Sequence, residues 1–90
     1  MTIARRVIVT GQVQGVFFRA WTKEQAETLG ISGWVRNCPD GSVEAQVEGP
    51  EAAVEQMIER MRDGPPHAQV DHLSVEETTP ESSDRFEIRH

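Results

Sequence analysis

The segment Gly11-Gln12-Val13-Gln14-Gly15, with Arg19 four residues further on, is the part of this sequence best equipped to hold a phosphate. A β-branched run ends in a glycine-containing loop, and the loop feeds a helical pattern. Backbone N–H groups in such a turn point into one concavity, and the free N–H groups of a helix start add to them. Gly15 allows close approach of an oxyanion. Arg19 falls in the first helical turn, where its planar fork can give an oxyanion two parallel hydrogen bonds. Spacing alone leaves a second reading open, in which Gly11 and Gly15 are turn residues and Arg19 is a solvated surface side chain. No Gly-Lys-Ser/Thr follows, so this is not a nucleotide-binding P-loop.

Asn37 is the second chemical candidate. It ends the run Gly33-Trp34-Val35-Arg36-Asn37 just before a turn, and its amide offers both the donor and the acceptor needed to orient a neutral water. By itself it reads more readily as a turn-starting residue, as Asn often does. Other residues carry weaker signals. Cys38 is the single cysteine, so it has no disulfide partner in the chain and no thiolate metal set. His67, His72 and His90 lack metal-ligand spacing and read as surface residues. Glu51, Glu55 and Glu59 fall on one helical face, with Arg60 and Arg62 near enough to pair. Trp21 and Trp34 read as packing residues, Phe18 as core, and Phe17 as a side chain at the mouth of the loop.

The elements that must position these groups follow from periodicity. Residues 6–10 read as a strand that Gly11 and Gly15 break. From Phe18 the stripe Phe18, Thr22, Ala26 and Leu29 predicts a helix, with Gly30 at its C-terminal cap. Two strands, about Ile31–Arg36 and Ser42–Glu48, flank the tight-turn sequence Asn37-Cys38-Pro39-Asp40-Gly41 and form a hairpin. In the second of them Val43, Ala45 and Val47 alternate with Ser42, Glu44, Gln46 and Glu48, which predicts one buried and one wet face. Gly49-Pro50-Glu51 opens a second helix whose Val54, Met57, Ile58 and Met61 face a sheet. Gly64-Pro65-Pro66 ends it. Leu73 and Val75, then Phe86 and Ile88, give two short strands around the loop Thr78–Ser83. The order is β-α-β-β-α-β plus a short C-terminal strand: an α+β, ferredoxin-like sandwich, with an antiparallel sheet and two helices on one face.

Composition narrows the partners. Ninety residues make one domain, 1–90, and the 37% hydrophobic content is too high for disorder. No apolar run is long enough to cross a bilayer and there is no signal-peptide core, so a cytoplasmic protein without membrane partners is expected. A net charge of −6 argues against nucleic acid. It also means that any anion must be captured by a concentrated local site, because the long-range field repels it.

Jointly, the two segments resemble the acylphosphatase family. Its first signature appears as Gly11-Gln12-Val13-Gln14-Gly15-Val16-Phe17-Phe18-Arg19, and its second as Gly33-Trp34-Val35-Arg36-Asn37 running on through Asp40-Gly41-Ser42-Val43-Glu44. Leu29-Gly30 and Glu48-Gly49-Pro50 also fit, so the resemblance covers nearly the whole chain. It implies a ferredoxin-like fold and hydrolysis of small acyl phosphates without metal or cofactor. The amides of Gln14, Gly15, Val16, Phe17, Phe18 and Arg19, with the Arg19 side chain, would bind the phosphoryl group, and Asn37 would place the water. The chemistry is coherent. A carboxylate leaves readily and needs no strong acid, and the charge of a loose phosphoryl-transfer transition state lies on three equatorial oxygens. Fixed donors answer that charge at about 3 kcal/mol each. The family more often carries Ser or Thr where Cys38 stands, and Ser42 is then the hydroxyl expected near Asn37. A monomer is expected. Two other classes remain: a non-catalytic anion-binding module, which would keep Gly15 and Arg19 without needing Asn37, and an RNA-binding domain of the same topology. The latter lacks the paired exposed aromatics such domains stack on bases.

Overall fold

The computed structural model describes residues 2–89, so His90 lies outside the described residues. In chain order the elements are β1 (Thr2–Gln12), α1 (Phe18–Leu29), β2 (Ser32–Asn37), β3 (Val43–Pro50), α2 (Glu51–Asp63), β4 (Gln69–Thr78) and β5 (Phe86–Arg89). The strands form one sheet in the order β4-β1-β3-β2-β5. The three pairings β4–β1, β1–β3 and β3–β2 are antiparallel, as expected of a ferredoxin-like fold, but β5 runs parallel to β2, pairing Val35 with Ile88 and Arg36 with Arg89. The expectation of a purely antiparallel sheet is corrected at that edge. A loop crosses from the end of β4 to the far side of the sheet before β5 begins, and so delivers β5 in the same direction as β2.

Alternation along the strands sends Val7, Val9, Val35, Val43, Ala45 and Val47 to one face, all of them fully buried. Phe18 and Ala26 of α1 and Val54, Met57 and Met61 of α2 complete that core. The expected helical stripes are therefore the ones that pack.

The opposite face is not wet. Ser42, Glu44, Gln46 and Glu48 are buried, against the amphipathic reading of β3. Being the central strand, β3 has neighbours on both sides that fold their polar side chains over it. Glu44 Oε1 accepts a 2.7 Å hydrogen bond from Arg36 Nε and is ion-paired with Nη2 at 2.7 Å, and Glu44 Oε2 lies 3.5 Å from Arg6 Nε. The segment after β4 covers the rest: Gln46 Nε2 donates to Thr79 O, Glu81 N donates to Glu48, and Trp34 Nε1 donates to Glu81. Partners for the Glu44 and Glu48 carboxylates and for Gln46 Nε2 make this burial tolerable, although Gln46 Oε1 accepts no hydrogen bond from the described residues.

β1 also runs further than its sequence suggests. Gly11 lies inside the strand at a register shift, not in the loop. A Cβ there would sit 2.2 Å from Gln69 O of β4, so the glycine serves the close approach of two strands at a bulge.

Candidate active site

Register decides what meets at one end of the sheet. Val9 of β1 pairs with Val43 of β3, and Val43 pairs with Asn37 of β2. The row ends there, so the segment after β1, residues 13–17, begins beside the β2–β3 turn. Asn37 lies two residues beyond Val35 and shares its helix-covered face. The loop and Asn37, distant in sequence, thus reach the same corner below the start of α1.

Two residues give the loop its shape through left-handed backbone. Gly15 has φ 77° with open space where a Cβ would be, so conformation, not crowding, asks for glycine. Phe17 has φ 61° and ψ 26°, a region that costs an L-residue about 1–2 kcal/mol. Its side chain is 83% exposed, so little packing offsets the cost. Backbone strain of this sort collects at functional sites. The next residue, Phe18, is buried and tilts against Trp21 at 5.6 Å, which pins the helix start to the core.

The start of α1 favours an anion. Phe17 caps it without a side-chain hydrogen bond, and its first turn has no acidic residue. It carries Arg19 instead, a cation at the positive end of the helix dipole. α2 follows the usual rule, with Glu51 in its first turn and Arg60 and Arg62 in its last. The α1 arrangement costs stability when the site is empty, and an oxyanion would relieve it.

Arg19 and Asn37 line one cavity of about 420 Å³ together with Val13, Gly15, Phe17, Phe18, Ala20 and Ile88. Among these lining residues Arg19 is the charged side chain and Asn37 the polar one, and no carboxylate joins them. Arg19 Nη1 donates to the backbone oxygen of Arg89 at 3.2 Å. That end of β5 is in turn held by the Arg89 guanidinium, 4.8 Å over the Trp34 ring. The Oδ1 of Asn37 is buried and accepts no hydrogen bond from the described residues. The turn therefore does not use this oxygen, as it would if Asn37 served only to start it.

The turn is closed by other groups. Cys38 N donates to Ser42 O, and Gly41 N to Cys38 O. The Ser42 hydroxyl, expected near Asn37, donates to Asp40 Oδ1 at 2.6 Å within the turn. That bond, followed by the one from Ser42 N–H, holds the Asp40 carboxyl below its ordinary pKa. On the far face, the hydrogen bond to Glu44 raises the pKa of Arg36. Cys38 is half-buried.

Of the residues expected to contact substrate, Gly15, Phe17, Phe18, Arg19 and Asn37 meet at the cavity, whereas Gln14 and Val16 do not line it. The Gln14 side chain turns to the β2–β3 turn, donating from Nε2 to both Cys38 O and Ser42 O at 2.8 Å. Sequence reasoning overlooked this role, and it overlooked Ile88 and Arg89, whose place depends on the parallel docking of β5. His67 and His72 are exposed, and among the described residues no three His, Cys, Asp or Glu side chains gather as a metal site. Among the described residues no helix is long and apolar enough to cross a membrane.

The family model described as Acylphosphatase matches residues 5–88. An acylphosphatase of Rhizorhabdus wittichii is 60% identical over 84% of this chain and 77% of its own length. One from Gloeobacter violaceus is 51% identical over 96% of this chain and 92% of its own. The crystal structure of acylphosphatase from Bacillus subtilis superposes with a TM-score of 0.94 at 40% identity, covering all of both chains.

Proposed function

The chain belongs to the acylphosphatase family and is an enzyme of that kind, and from that premise we propose how its own residues divide the work. The loop amides at Gly15, Phe17, Phe18 and Arg19, whose residues border the cavity, and the Arg19 guanidinium bind the phosphoryl group. Asn37 holds the attacking water. The water oxygen bonds to phosphorus, the bond from phosphorus to the acyl oxygen breaks, and the carboxylate leaves with that electron pair. The water's proton passes to a phosphoryl oxygen, so the products are a carboxylate and inorganic phosphate and no protein base is required.

One observation carries this reading. An uncapped helix start with a cation in its first turn opens onto the same cavity as an asparagine whose Oδ1 accepts no hydrogen bond from the described residues. Donors that are already in place when the charge develops pay no reorganisation cost, which suits them to an electrostatic mechanism. The apolar remainder of the wall supports a small acyl group lying toward Phe17. The single half-buried cysteine beside the site suits a reducing, cytoplasmic compartment. The covering of the helix-free face by the chain's own loop supports a monomer.

Hydrolysis of benzoyl phosphate and acetyl phosphate in ¹⁸O-water containing EDTA tests the reading. The label should enter inorganic phosphate and not the carboxylate. Label in the carboxylate would mean attack at carbonyl carbon, and no turnover above the spontaneous rate would favour a binding module.

A further inference from the structure

We infer that Gln14 is a positioning residue: its side chain braces the β2–β3 turn against the phosphate loop and thereby sets the height of Asn37 above the phosphoryl group. The inference rests on the reading that Asn37 places the water. Its basis is a fork. The two N–H bonds of Gln14 Nε2 end on Cys38 O and Ser42 O, both at 2.8 Å. Those carbonyls belong to the two residues that close the turn, and each already accepts a backbone bond within it, Ser42 O from Cys38 N and Cys38 O from Gly41 N. Gln14 therefore does not build the turn. It ties a turn that is already complete to a loop 24 and 28 residues away.

Asn37 precedes Cys38 directly. On its strand side it is fixed by pairing with Val43. On its turn side, the Gln14 fork links its neighbour Cys38 to the phosphate loop. Gln14 is itself adjacent to Gly15, whose backbone borders the cavity. One side chain, anchored by two hydrogen bonds, thus joins the group that holds phosphorus to the group that holds the water. Arg19 is held separately, through Arg89 O, so phosphate binding should survive loss of the brace.

A double-mutant cycle on kcat tests this. Gln14→Met keeps length and bulk but cannot donate. It should lower kcat about tenfold or more, since misplacement by a fraction of an ångström suffices, while inorganic phosphate inhibits at a concentration within about threefold of the parent's. In the Asn37→Ala background the same change should lower kcat less than about twofold, because the group it positions is gone. Gln14→Glu gives an independent readout. Ionised, it faces two carbonyls and donates nothing; protonated, it donates to one. Its kcat deficit against the parent should therefore shrink as pH falls. Thermal unfolding of each variant establishes that it is folded, and Gln14→Glu carries the test if the Met variant is not. An unchanged kcat in a folded Gln14 variant, an equal loss in the Asn37→Ala background, or loss of phosphate inhibition would each overturn the inference. The underlying reading fails differently, by Asn37→Ala alone retaining kcat.

Discussion

Replacing Gly15 by Ala separates the conformational role of the loop from its chemical one. At φ 77° an alanine pays the left-handed penalty of about 1–2 kcal/mol, and nothing lies within 4 Å of the new methyl group to add a clash. Restricting the unfolded chain returns about 0.4–1 kcal/mol, which leaves a net loss near 1 kcal/mol. In a domain this small that lowers Tm by roughly 4–8 °C. Gly30 is a matched control. It has φ 71°, also has open space around a built Cβ, and sits at the far end of α1. Gly30→Ala should therefore cost about the same stability.

The two variants should part in catalysis. Gly15 borders the cavity, so its methyl group occupies the approach of an oxyanion to the loop amides. Losing one such donor is worth about 3 kcal/mol, or roughly 10²-fold in kcat/KM. Thermal unfolding and benzoyl phosphate kinetics on both proteins make the comparison. Equal stability loss with kcat/KM reduced only in Gly15→Ala is the expected result. If the two variants kept similar kcat/KM, Gly15 would be a turn glycine and the loop would not cradle phosphate.

Three other outcomes are expected. Arg19→Lys keeps the charge but loses the planar fork, and should weaken inorganic phosphate inhibition about tenfold or more; inhibition within about twofold of the parent would show that charge alone suffices. Phe17→Asn removes an exposed ring and eases its left-handed backbone, so Tm should hold or rise by a few degrees, while KM for benzoyl phosphate rises more than KM for acetyl phosphate; a clear fall in Tm would mean the ring packs. Asp40 has its pKa lowered by the Ser42 hydroxyl and then by the Ser42 N–H. Its ionised form therefore stabilises the fold above the ordinary carboxylate pKa of about 4, and this is lost as pH falls through the lowered value. Asp40→Asn should lower Tm near neutral pH, with the gap to the parent closing on acidification.

The parts of the site that were legible in the sequence are those that local chemistry dictates. Glycine in left-handed backbone at Gly15, the helical stripe from Phe18, and the cap at Gly30 each depend on a few neighbouring residues. So does the hairpin that brings Asn37 to a strand end. The rest depended on partners far along the chain. Gly11 reads as a loop residue until β4 lies against it and turns it into a bulge. The polar side of β3 alternates as a solvated face would. It is buried because Arg6, Arg36 and the segment 79–81 fold over it. Ile88 and Arg89 enter the site through a parallel pairing that no local pattern encodes. The Gln14 fork joins the loop after β1 to the distant β2–β3 turn, and nothing in the spacing of the residues marks it.

The division of labour between binding and water placement is the core of the account, and Asn37→Ala tests it most directly. The measurement is kcat on benzoyl phosphate alongside the inhibition constant of inorganic phosphate, in one protein under one set of conditions. The expected result is a kcat lower by about 10²-fold or more, with phosphate inhibition within a few-fold of the parent. A kcat close to the parent's, or a parallel loss of phosphate inhibition, would contradict it.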